Sequence, residues 1–217
     1  ISSNKDLWEL ADKFGQVPLP PYMHRSEETV DRERYQTEFA RQKGSVAAPT
    51  ASLNLTHNLL ELLKKKGVEV VTITLHVGLG TFMPIRVDDL TKHKMHQEYF
   101  EIPSKTALSI AYAKQKKRRI IAVGTTVTRT LEYASEQITK YSLGDSNPIT
   151  GEADIFIYPG YKFKIIDGLL TNFHAPHSTV LMMASAFAGW DNLSKAYNHA
   201  LKNNYKFLSY GDSMLII

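Results

Sequence analysis

The succession of helix, short apolar strand, glycine turn and second helix between Ser104 and Lys140 constrains this chain more than any other feature. Ser104 to Lys117 reads as a helix and Ile120 to Val123 as a short buried strand. Gly124 turns that strand into a further helix that runs up to about Lys140. Strands and helices in this order cover one another's apolar faces, which predicts an α/β layer fold.

At 217 residues and 43% hydrophobic, the chain suffices for one good-sized core, and its composition excludes disorder, collagen and coiled coil. The lack of cysteine excludes disulfides, thiolate metal sites, iron–sulfur clusters and cysteine nucleophiles, and predicts a reducing, cytoplasmic location. Apolar runs such as Val180 to Ala184 fall far short of the roughly 20 residues of a membrane span, so no membrane association is expected. The chain begins at Ile1 rather than Met, as a processed or truncated product would. Its formal charge of +4 permits a polyanionic partner without demanding one.

Other elements follow from capping and periodicity. Residues 1–22 contain an amphipathic piece around Leu7, Trp8 and Leu10, then Pro18-Leu19-Pro20-Pro21, and read as a linker or domain edge. Ser26 should cap a helix that buries Tyr35 and Phe39, with Gly44 as its stop. A helix after Pro49-Thr50 should run to Lys66 on a stripe of Leu55, Leu59, Leu62 and Leu63, followed by a strand from Val68 to Leu75. Extended pieces are expected at 154–158, 162–166, 169–173, 207–209 and 214–217. Ser178 and Asp191 should cap two helices, the first apolar nearly all round.

Four stretches carry chemistry. His76-Val77-Gly78-Leu79-Gly80-Thr81-Phe82 follows a strand, and reads either as a ligand-approaching glycine turn with a proton-handling histidine or as a plain turn. His93, His96 and Glu98 cluster, but with no distant partner marked by spacing Glu98 fits a ligand hydroxyl or cation better than a metal. Gly124-Thr125-Thr126-Val127-Thr128-Arg129 suits a phosphate or carboxylate, unless a threonine caps the helix and Arg129 lies on its solvated face. Asn172, His174 and Ser178 gather in one loop, where the first and last also serve as turn and cap. Ser45 lies in no Gly-x-Ser-x-Gly elbow, which argues against a serine hydrolase. Lys114, Lys116, Lys117, Arg118 and Arg119 form the densest positive run, either phosphate-binding or a solvated helix end.

Together these stretches resemble the S-adenosylmethionine:tRNA ribosyltransferase-isomerase family of queuosine biosynthesis. The resemblance rests on Pro18-Leu19-Pro20-Pro21-Tyr22, Glu33-Arg34-Tyr35-Gln36-Thr37, Gly44-Ser45-Val46-Ala47-Ala48-Pro49-Thr50-Ala51 and the His76 to Phe82 block. It continues through His93 to Glu98, Ala122 to Thr126, Ile155 to Gly160, Thr171 to His174, Ser185 to Gly189 and Ser209 to Asp212. Departures are Asn54 where the family usually has histidine, Val127 in place of a hydroxyl residue, and Ala175 and His177 in the last loop.

The resemblance implies a mixed α/β main domain over 23–217, with 1–22 as a linker or the edge of a smaller β-barrel domain mostly absent from this chain. It implies transfer and isomerisation of the ribosyl part of S-adenosylmethionine, a co-substrate, onto 7-aminomethyl-7-deazaguanine in tRNA, giving epoxyqueuosine, adenine and methionine. No metal or prosthetic group is implied, and a monomer is expected. Read this way, His76 and His174 handle protons, Glu98 and Asp212 are carboxylates near the sulfonium or ribose, and Arg129 anchors a carboxylate or phosphate. Gly78, Gly80, Thr81, Gly124, Thr125 and Thr126 would meet the co-substrate, and the Lys114 to Arg119 run the tRNA. A tRNA-binding relic without catalysis is the alternative. A methyltransferase would need a glycine-rich loop after its first strand and an acidic residue ending the second, a pair the sequence lacks.

Overall fold

Among the described residues, two three-stranded sheets share one hydrophobic core, giving a mixed α/β fold. The computed structural model describes residues 6–78 and 93–217. Strands β1 (Thr74–His76), β2 (Glu98–Ile102) and β4 (Ile149–Ala153) form an antiparallel sheet in that order, with Glu98 opposite Ala153 and Ile102 opposite Ile149. In the second sheet β3 (Ile121–Val123) lies parallel to β5 (Gly168–Asn172), which pairs antiparallel with β6 (Ser213–Ile216). Phe100, Ile102 and Ile149 from the first sheet and Ala122 and Leu169 from the second meet in the core. Helices α1 (Leu7–Phe14), α2 (Asp31–Arg34) and α3 (His57–Lys65) come first in the chain, and α4 (Ser104–Gln115), α5 (Thr125–Tyr133) and α6 (Ser135–Lys140) add Ala107, Ile110, Leu131 and Ile138 to the core. Helices α7 (Thr179–Ala188) and α8 (Trp190–Lys202) pack around Leu181, Ala184 and Leu193.

The strand–glycine–helix unit at 121–133 stands as expected, and Ser178 caps α7 by accepting from Leu181 N–H at 3.2 Å. Elsewhere tertiary partners override local pattern. The helix expected from Ser26 shrinks to the single turn Asp31–Arg34, because the Asp31 carboxylate accepts from Glu28 N–H and from both Arg25 terminal nitrogens and holds 25–31 as a turn. That cage keeps the Asp31 carboxyl well below the usual carboxylate range, with the Arg25 hydrogen bonds as the chief cause. Thr56, not Pro49-Thr50, opens the next helix (His57–Lys65), so Leu60 is buried while Leu59 and Leu62 are exposed. Of Val68 to Leu75, only Thr74 and Leu75 enter a strand, which runs on to His76.

The strand expected at 154–158 is displaced to 149–153, since β2 offers pairing partners only as far as Glu98. No strand forms at 162–166 because the amides of Lys164, Ile165 and Ile166 donate to the buried Glu132 carboxylate at 2.7, 2.9 and 3.1 Å instead of to a neighbouring strand. The helix to Lys140 breaks at Ala134, and Gly189 rather than Asp191 precedes α8, leaving Asp191 in its first turn. No strand forms at 207–209, where the chain enters a turn over 208–211 closed by Gly211 N–H on Leu208 O.

Candidate active site

The carboxyl ends of the parallel strands β3 and β5 lie side by side, the kind of edge at which open sheets bind ligands. β3 enters α5 through Gly124, whose φ of 96° is in the left-handed region. Its N–H donates to Leu170 O at 2.8 Å and ties the turn to β5. No side chain caps α5, so neither Thr125 nor Thr126 is spent on that task. Both line a cavity together with Met95, Arg129, Phe156 and Met183.

Arg129 does not lie on a solvated face. It is 5% exposed and ion-paired with Glu98, also 5% exposed. Alternation along β2 turns Glu98 inward with Phe100 and Ile102, which is why a carboxylate enters the core there. Each charge makes the other's burial tolerable, because an ion held in a low-dielectric interior is costly unless closely paired. Arg129 Nε has no hydrogen-bond partner among the described residues. A buried donor left open beside a cavity favours a ligand that brings an acceptor.

Asn172 ends β5 and is 3% exposed. Its Oδ1 accepts from Thr50 Oγ1 at 3.1 Å, while Nδ2 has no partner among the described residues. Two residues on, His174 Nε2 lies 2.9 Å from Thr171 Oγ1, and the His174 N–H donates to the Tyr197 hydroxyl at 2.8 Å. Burial pushes the His174 imidazole down to about 4, so it is neutral near pH 7.

His76 ends β1 with its ring against Gly44, where a Cβ would stand 2.4 Å from Nδ1, and beside Tyr99 with ring centroids 5.5 Å apart. Nδ1 is buried without a partner among the described residues. Next to it, Ser45 Oγ accepts from Val77 N–H at 3.0 Å. Segment 44–54 thereby touches the elements that carry the candidates: Gly44 meets His76, Thr50 meets Asn172, and Ala51 faces Gly124. Asn54 Nδ2 donates to Gly211 O at 3.0 Å and Ser213 Oγ at 2.8 Å, so this position ties the segment to the start of β6. Sequence reasoning missed Thr50 and the linking role of this segment. The available signal was Gly44, Ser45, Pro49 and Thr50 packed into seven residues without periodicity.

Other candidates lie apart. Asp212 is exposed and closes a turn, accepting from Lys206 N–H at 2.7 Å and returning its own N–H to Lys206 O at 2.8 Å. Gly78 is exposed, with no atom of the described residues within 4 Å of where a Cβ would point, and Gly80 and Thr81 are outside the described residues. The basic run precedes β3 whereas Gly124 follows it, which puts Arg119 roughly 16 Å from Gly124 at about 3.3 Å per residue. There Lys114 Nζ donates to Ile165 O at 3.2 Å, and Lys116 and Arg118 each sit 5.6 Å from the centroid of the half-exposed Tyr112 ring. His93 packs on Phe156 and Glu98 pairs with Arg129; among the described residues no three His, Asp or Glu gather to hold a metal ion. No helix of the described residues is long and apolar enough to cross a membrane.

Comparison with known proteins adds three findings. A family model described as queuosine biosynthesis protein matches residues 1–216. The S-adenosylmethionine:tRNA ribosyltransferase-isomerases of Pelodictyon phaeoclathratiforme and Chlorobaculum parvum are each 60% identical to the chain, over 216 and 211 residues, which is 100% and 97% of it. The chain spans about 63% of the length of these curated relatives. The crystal structure of S-adenosylmethionine tRNA ribosyltransferase from Thermotoga maritima is similar with a TM-score of 0.62 and 40% identity, over 77% of this chain and 51% of that one.

Proposed function

Since this chain belongs to the queuosine biosynthesis protein family, we propose that it carries the main catalytic machinery for moving the ribosyl part of S-adenosylmethionine onto a tRNA base. The acceptor is 7-aminomethyl-7-deazaguanine in tRNA, the products are epoxyqueuosine, adenine and methionine, and the reaction takes place in the cytoplasm. The observation that carries this reading is the pair of buried donors without partners among the described residues, Arg129 Nε on α5 beyond Thr125 and Thr126, and Asn172 Nδ2 at the end of β5. Such donors fit a ligand rich in oxygen and nitrogen acceptors, as S-adenosylmethionine is.

Buried Arg129 is suited to the methionine carboxylate rather than to a tRNA phosphate, which would have to leave water entirely. Glu98 holds Arg129 in place and adds negative potential for a sulfonium. The carbon next to a sulfonium is acidified, and His76, with Nδ1 buried and unbonded among the described residues, is the group to accept its proton. His174, neutral and oriented by Thr171, donates or accepts one hydrogen bond without adding positive charge near the sulfur. Asp212, spent on closing the turn with Lys206, takes no part at the ribose, and the Lys114 to Arg119 run contacts tRNA phosphates at the far end of β3.

The test is incubation with S-adenosylmethionine and tRNA bearing the aminomethyl-deazaguanine, followed by mass analysis of nucleosides and small molecules. Epoxyqueuosine with adenine and methionine is the expected result. S-adenosylhomocysteine, or no product from an otherwise folded chain, would refute it.

A further inference from the structure

Beside the cavity that holds Arg129 runs a row of three rings that no step above uses. Phe156 lines the cavity and is half-buried. His93 packs on it with ring centroids 4.9 Å apart, and Tyr158 follows at 5.3 Å, 36% exposed. Ile157 between them is 1% exposed and anchors the strip, and the turn after Tyr158 ends at Gly160, whose φ is 105°. Further along, Glu132 grips the amides of residues 164–166, so the strip is held at both ends rather than left as a loose loop.

We propose that this row is a stacking shelf for an unpaired base of the tRNA, holding that base at the edge of the cavity. The inference rests on the function proposed above. A small co-substrate is usually enclosed, burying most of its surface, whereas a ring row that emerges into solvent suits a base delivered on a macromolecule. A base has a π-face whatever its identity, so aromatic rings hold it without reading it, and a base taken out of its stack needs such a surface.

The experiment compares the unsubstituted chain with Phe156→Leu, Tyr158→Leu and Phe156→Trp. It measures affinity for tRNA bearing the aminomethyl-deazaguanine and, separately, for S-adenosylmethionine. Each leucine variant should bind this tRNA about 5-fold to 100-fold more weakly, the range expected when one base–aromatic stack is removed. Phe156→Trp should bind it as the parent does, and Tyr158→Leu, whose ring lies outside the cavity lining, should keep S-adenosylmethionine affinity within about 2-fold. Unchanged tRNA affinity in the leucine variants would overturn the shelf alone. Abolished S-adenosylmethionine affinity with tRNA binding intact would reassign the rings to the co-substrate and also overturn it. Failure of the parent chain to bind tRNA at all would overturn the functional reading together with the shelf.

Discussion

The buried Arg129–Glu98 pair allows structural and ligand roles to be separated by measurement. Glu98→Gln keeps the shape of the side chain but strands the Arg129 charge at 5% exposure. Breaking a buried pair from one side costs about 3–5 kcal/mol. For a chain of this size each kcal/mol moves the melting temperature by about 2–4 °C, so Glu98→Gln should melt about 6–20 °C lower. Arg129→Met should do the same. The double variant Glu98→Leu with Arg129→Met removes both charges and should recover most of that stability, since an apolar pair of similar volume is often neutral or stabilising there. It should nevertheless fail to bind S-adenosylmethionine, because the open Nε donor is gone. Thermal melts followed by circular dichroism and titration calorimetry read the two effects separately. A melting temperature for Glu98→Gln within about 2 °C of the parent would refute the energetic argument. Undiminished S-adenosylmethionine affinity in the double variant would refute the ligand role of Arg129.

Further outcomes follow from the same geometry. Gly44→Ala places a Cβ 2.4 Å from His76 Nδ1 at a φ of 144°, and should cost about 1–3 kcal/mol in thermal melts and displace the His76 ring, seen as a changed imidazole signal in NMR. His174 falls from an ordinary 6.5 to about 4 on folding, so the unfolded chain takes up about one more proton between those values. Stability from this group is complete above about pH 6.5 and lost as pH falls toward 4; His174→Asn should flatten that part of the denaturation profile measured against pH. Neutralising Lys116, Lys117, Arg118 and Arg119 should weaken tRNA binding and reduce its salt slope by about 0.7–0.9 for each phosphate left without its cation, with S-adenosylmethionine binding unchanged.

Much of the site was legible because its chemistry is punctuated by residues with strong local preferences. Gly124 after an apolar strand marks the turn into α5, and Ser178 before Thr179 marks the start of α7, by effects that act within four residues. Glu98 and Arg129 stood out as chemistry-bearing residues, but their pairing joins residues 31 positions apart and no spacing rule reports it. The same limit hid the Thr50 to Asn172 contact across 122 positions. The failed strands at 154–158 and 162–166 have one cause: extended propensity says that a segment can pair, while the register of β2 and the Glu132 carboxylate decide whether a partner exists.

By itself, then, the sequence determined the mixed α/β class, the strand–glycine–helix unit and the family, all of which depend on local backbone preference or on the order of short motifs. Tertiary structure alone decided that Arg129 is buried rather than solvated, that segment 44–54 joins His76, Gly124 and Asn172, and that Asp212 closes a turn. The physical reason is range. Caps, turns and periodicity are set by neighbours a few residues away, whereas burial and hydrogen-bond satisfaction are properties of the packed core, known only once distant segments have met.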